Sequence, residues 1–148
     1  MKTIFLAITI ALSAVVTAQT ETKSKTSKIP TVVTEAFAQE FPKRKAKWSA
    51  EDGGYEAEFK INGTETSAVY DKKGHRKELE SAIKTNELPA NALAYLKKKY
   101  PTGKITEASK ITDDKNVITY EAEIKKDGKK FDVLLDSNGK FIKIVDGD

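Results

Sequence analysis

The chain of 148 residues has no cysteine, a single histidine and a single tryptophan. Without cysteine no disulfide can staple the fold, no lipoprotein signal can operate, and structural zinc sites built on Cys and His are excluded. Stability must come from an apolar core. With His75 alone, the commonest acid, base and metal ligand is available once, so no Ser-His-Asp set can be assembled; a turn histidine after Gly74 is the expectation. Arginine is confined to Arg44 and Arg76, whereas groove and phosphate readers favour its bidentate fork. The 26 basic residues nearly balance the 22 acidic ones, for a formal charge of +4. Nucleic acid is therefore not an expected partner.

Long apolar runs are scarce as well, apart from one. Lys2 precedes a mostly apolar stretch at 3–17, and Val16 and Ala18 occupy the minus-three and minus-one positions of a small-residue cleavage site. The run is too short to span a hydrocarbon core of roughly 30 Å once its Ser and Thr are discounted. The pattern predicts a signal peptide at 1–18, cleaved after Ala18, and export to the periplasm or beyond, with no stable membrane anchor. Residues 20–28, "TETKSKTSK", contain no apolar side chain, so 19–28 read as a flexible leader. The remainder is one ordinary domain, long enough to bury about two thirds of its unfolded surface.

That domain is written twice. "IPTVVTEAFAQEFP" and "LPANALAYLKKKYP" carry prolines at Pro30 and Pro42 and at Pro89 and Pro101, a constant offset of 59. Proline suits the first helical turn and disfavours helix at the residue before it. Between these stops, Val33, Ala36, Phe37 and Phe41 share a helical stripe, and Ala92, Tyr95, Leu96 and Tyr100 repeat it. Six further residues then lengthen the second copy, and the offset holds at 65: "YEAEF" at 55–59 matches "YEAEI" at 120–124, Gly63 matches Gly128, and Gly74 matches Gly139. Repeats at 29–87 and 88–148 follow, forming a single domain over 29–148.

"YEAE" alternates. Tyr55, Ala57 and Phe59 face one side of a strand and Glu56 and Glu58 the other; Tyr120, Ala122 and Ile124 oppose Glu121 and Glu123 in the same way. Asn62-Gly63 and Asp127-Gly128 are hairpin signals. The returning strands turn Thr66, Ala68 and Tyr70, and Phe131, Val133 and Leu135, inward. Turns at 71–74 and 136–139 close them, and further strands are expected near 44–50, 76–83, 104–111 and 140–145. The expected fold is α+β: two tandem units of a helix plus antiparallel strands, sharing one sheet with helices on one face and water on the other.

The duplicated helix with its terminal proline, Trp48, the "YEAEF" strand and the D-x-x-G turn behind a signal peptide resemble the exported beta-lactamase-inhibitor-like or PepSY-like domains. The resemblance covers about residues 29–146. It implies one curved antiparallel sheet with helices on its convex side. It also implies a non-catalytic role: true inhibitors of this kind cover an enzyme's active site with the concave face, and PepSY domains are associated with restraining peptidases. The inhibitors carry disulfides and this chain has none, so a lactamase target does not follow.

The individual motifs each have a plain reading. Glu56 with Glu58, and Glu121 with Glu123, are carboxylate pairs about 6 to 7 Å apart along a strand, within the range glycosidases use, but equally a solvated face with charge pairs to Lys125, Lys130 and Asp132. Residues 136–139 place Gly fourth, where a calcium loop would need it sixth. Lys97, Lys98 and Lys99 end the second helix, where cations complement its dipole. Trp48 alternates with Ala46, which argues for the core, yet aligns with Glu107, which argues for the wet face. The expected function is an exported, non-catalytic binding module of inhibitory kind, whose open sheet face engages a protein or peptide of the cell envelope through Trp48, Glu56, Glu58, Glu121, Glu123 and Lys130, with no cofactor and no metal. The alternatives are a carrier for a small ligand or lipid between helices and sheet, and a carboxylate-dependent hydrolase.

Overall fold

The computed structural model describes residues 28–51 and 53–146; the expected signal peptide and nearly all of the expected leader lie outside the described residues. Helix α1 spans Thr31–Glu40, followed by strands β1 Lys47–Glu51, β2 Gly54–Ile61, β3 Thr64–Asp71 and β4 Arg76–Ala82. A short 3-10 turn at Thr85–Glu87 leads to α2, Ala90–Lys99, and to β5 Lys104–Asp113, β6 Ile118–Lys126, β7 Lys129–Asp136 and β8 Phe141–Asp146. All eight strands form one antiparallel sheet in chain order, so every connection between strands is a hairpin except β4–β5, which runs through the 3-10 turn and α2.

Both helices start one residue after the proline. Pro30 and Pro89 are the N-caps, and their carbonyls accept the first helical hydrogen bonds, from Val33 and Thr34 and from Leu93. Phe41 and Tyr100 cap the C-termini with extended φ, as a following proline demands. Asn62 with Gly63 and Asp127 with Gly128 take consecutive positive φ, the primed-turn geometry that matches strand twist.

Directly paired strand residues share a face, so the register assigns each side chain. Ala57, Ala68, Leu79, Thr112 and Ile118 run across five strands on one face. Lys110 pairs with Tyr120 and Ala108 with Ala122 on that same face. Both helices lie there. Val33 and Phe37 of α1 pack with Ala57, Phe59, Ala68 and Tyr70, and Leu96 and Ala92 of α2 with Ala122, Ile124, Val133 and Leu135. Phe37 is ringed by Phe41, Trp48, Phe59 and Tyr70, with centroids 5.0 to 6.5 Å away. Glu40 ties the end of α1 to the sheet, accepting from Tyr70 Oη at 2.8 Å and Arg76 Nε at 3.1 Å. These side chains pack in the interval between helices and sheet, where a carried lipid would have to sit. No helix among the described residues is long and apolar enough to cross a membrane.

Candidate functional site: the uncovered sheet face

Among the described residues no helix covers the opposite face, and it is not simply solvated. Ile111 of β5, Leu134 of β7 and Val145 of β8 bury one another there, although β6 runs between β5 and β7. Contact across an intervening strand requires the sheet to curve toward this face. The curvature also explains why Glu56 and Glu121, expected on a wet surface, are 5 % and 3 % exposed.

The register places the remaining groups. Ser49, Glu56, Val69, Glu78 and Asp113 form one row across the first five strands. The next holds Lys47, Glu58, Ser67, Glu80 and Ile111. Beyond β5, Ser109 pairs with Glu121 and Glu121 in turn with Leu134, and Glu107 pairs with Glu123 and Glu123 in turn with Asp132. Lys130, two residues from Asp132 on β7, shares the face and pairs with Glu123. Glu56, Glu58, Glu121, Glu123 and Lys130 are thus brought together on this face.

Trp48 is not with them. It pairs with Ala57 and meets Phe37 edge-on at 5.4 Å in the core beneath α1. The conflict over its face arose from aligning it with Glu107. A register shift between Ile105 and Glu107 displaces β5 by one residue, so Ala122 is opposed by Ala108, as Ala57 is opposed by Trp48. The alternation with Ala46 pointed to the right side.

Each carboxyl has its own setting. Glu58 pairs with Lys47 at 3.4 Å and Glu123 with Lys130. Burial pushes Glu56 above the ordinary carboxylate range, a shift opposed by hydrogen bonds from the Ser67 and Ser49 hydroxyls, the latter at 3.3 Å. Burial likewise raises Glu78, with Asp113 adding to it. Glu80 on β4 and Glu121 on β6 flank β5. Both are raised first by burial; the Ser109 hydroxyl partly offsets this at Glu80, whereas Glu80, Asp132 and Glu78 add to it at Glu121. Asp132 is raised to about 6 by burial and by Glu123 and Glu107. The floor of the face therefore holds carboxyl groups that retain protons at pH values where free carboxyls have lost them.

Sequence reasoning missed Glu78 and Glu80 as members of this set. The signal was present: "KELES" at 77–81 has the same glutamate spacing as "YEAE". His75 stays outside the face, in the β3–β4 turn, with Nδ1 3.0 Å from Asp71 Oδ2. Among the described residues, no group of three or more His, Asp and Glu side chains is arranged to hold a metal ion.

Three solved structures share this architecture at low identity. A protein provisionally described as periplasmic, from Bacteroides eggerthii, superposes with a TM-score of 0.73 at 16 % identity, over 81 % of this chain and 90 % of its own. A DUF2874 family protein from Bacteroides uniformis gives 0.71 at 19 % identity over 79 % and 88 %. A BLIP-like protein from Bacteroides fragilis gives 0.64 at 18 % identity over 82 % and 91 %. No curated protein matches the chain. Residues 53–143, from the start of β2 into β8, match the provisionally named beta-lactamase-inhibitor-like, PepSY-like family, and the chain belongs to that family.

Proposed function

We propose that this protein is an exported, non-catalytic binding module that engages a protein or peptide on its uncovered sheet face and acts by occupying its partner. The observation that carries the reading is a curved face that no described element covers, on which apolar Ile111, Leu134 and Val145 lie among buried carboxyls. A sheet normally buries its apolar groups against a second layer. Here the second layer is supplied by the partner. Family membership and the BLIP-like neighbour support an inhibitor-like role. The neighbour described as periplasmic agrees with export.

The chain is further read as a duplication, with units 29–87 and 88–148. Each runs from a proline-capped helix through four antiparallel strands, and each closes its third hairpin strand with an aspartate turn. The β4–β5 pairing joins the units into one sheet, giving a face wide enough for a protein partner.

The test is site-directed photo-crosslinking in envelope extract, using residues 19–148 with a reactive side chain at Val69 on the uncovered face or at Glu35 on the exposed side of α1. A single partner captured from Val69 and absent from Glu35 is the expected result. Equal capture from both positions, or none from Val69, overturns the reading.

A further inference from the structure

We propose that the uncovered face is the seat of a cationic segment of the partner, with a lysine or arginine side chain reaching Glu80 and Glu121 on its floor. This rests on the reading of that face as the binding surface and adds the chemistry of what binds there.

Three observations converge. The chain as a whole is net positive, yet Glu56, Glu78, Glu80, Glu121 and Asp132, from four strands, gather on one face. Two of the lysines on that face, Lys47 and Lys130, are already paired with Glu58 and Glu123. Lys143 acts on Glu78, whereas the charged groups that act on Glu80 and Glu121 are other carboxyls.

The second observation is Glu121 itself. Its side chain is 3 % exposed, and no described residue donates a hydrogen bond to it. A carboxyl drawn largely out of water and lacking a donor gains by receiving one. Among the described residues, the Ser109 hydroxyl is the donor to Glu80. An incoming ammonium or guanidinium group supplies hydrogen-bond donors and a positive charge that opposes the burial and carboxyl repulsion raising these groups.

The third is the apolar cluster. Ile111 is the β5 partner of Glu80, and Leu134 is the β7 partner of Glu121. An aliphatic surface thus lies directly beside each carboxyl. Lysine and arginine present that same combination, a methylene stem ending in a cation. A bare metal ion would use the carboxyls and leave the apolar surface wet, and an anionic segment would be repelled.

The test is fluorescence anisotropy with a dye-labelled decapeptide of alternating lysine and serine, and with the same peptide acetylated on every lysine. The lysine peptide is expected to bind, and the acetylated one at least tenfold more weakly. Glu80→Gln with Glu121→Gln, which keeps the shape and removes the charge, should weaken lysine-peptide binding at least tenfold. Glu56→Gln should weaken it severalfold and serves should the double variant not fold. Glu35→Gln should change nothing. Equal binding of both peptides, wild-type binding by the folded glutamine variants, or an equal loss in Glu35→Gln overturns the proposal. A partner that crosslinks at Val69 but binds the glutamine variants unchanged overturns it while leaving the face reading standing; failure to crosslink at Val69 removes that reading itself.

Discussion

Glu121 emerges from β6 on the side of the sheet away from both helices, yet it is almost wholly buried. Its carboxyl and those of Glu80, Glu56, Glu78 and Asp132 all hold protons above their ordinary values, with burial as the largest cause in each case. Between the ordinary carboxylate range and those raised values, the folded state binds more protons than the unfolded chain. Stability is therefore fullest near pH 4 to 5 and falls as pH rises through the raised values, at about 1.4 kcal/mol per pH unit for each excess proton. Asp71 and Asp114 shift the opposite way, but their contribution is lost only as pH drops below about 4. The urea midpoint should accordingly be higher at pH 5 than at pH 8, and the difference should shrink in Glu80→Gln with Glu121→Gln; a midpoint that rises with pH would contradict this origin. On the other face, Phe37 is 4 % exposed at the centre of an aromatic ring of neighbours. Phe37→Ala should cost about 4 kcal/mol in chemical denaturation.

The turns carry the helices as well as the strands. Asp136 Oδ1 accepts from the amides of Asn138 and Lys140, and Asp71 Oδ1 accepts from those of Lys73 and His75. Each of these turns ends in a glycine pressed against a helix. A Cβ on Gly139, at φ +81°, would meet the Ala92 amide nitrogen at 2.4 Å; one on Gly128, at φ +77°, would meet nothing within 4 Å. Comparison of the two separates backbone strain from crowding. Gly128→Ala should cost about 1 kcal/mol for the left-handed backbone alone, and Gly139→Ala about 3 kcal/mol because α2 must also move off the turn. Equal losses in denaturant titrations would mean that the turn does not position the helix.

Across the whole molecule, the β4–β5 ladder from Glu78 with Asp113 to Ala82 with Ser109 makes one sheet of two helix-backed halves. The apolar clusters under α1 and α2 are separate, so this ladder and the shared acidic face are what couple them. Trp48 reports only on the cluster under α1, whereas far-ultraviolet circular dichroism reports on the entire sheet. A small domain with a continuous sheet should unfold in one step, so the two signals should give the same urea midpoint. A tryptophan transition displaced from the dichroism transition would show halves that fold independently.

Much of the fold was legible because its signals are local. Proline spacing bounded both helices, alternation oriented "YEAE", and Asn-Gly and Asp-Gly named their own hairpins, since each depends on residues within a few positions. The side chosen by Trp48 was half-legible: its alternation with Ala46 was correct, while the displacement of β5 after Ile105 misled the comparison with Glu107. The acidic floor was not legible. Glu80 and Glu121 lie far apart in the chain, and only strand order sets them on either side of β5, while only curvature removes them from water. The sequence by itself determined which residues alternate inward and outward; the tertiary structure decided which outward carboxyls converge, because pairing order and sheet curvature are properties of all eight strands at once.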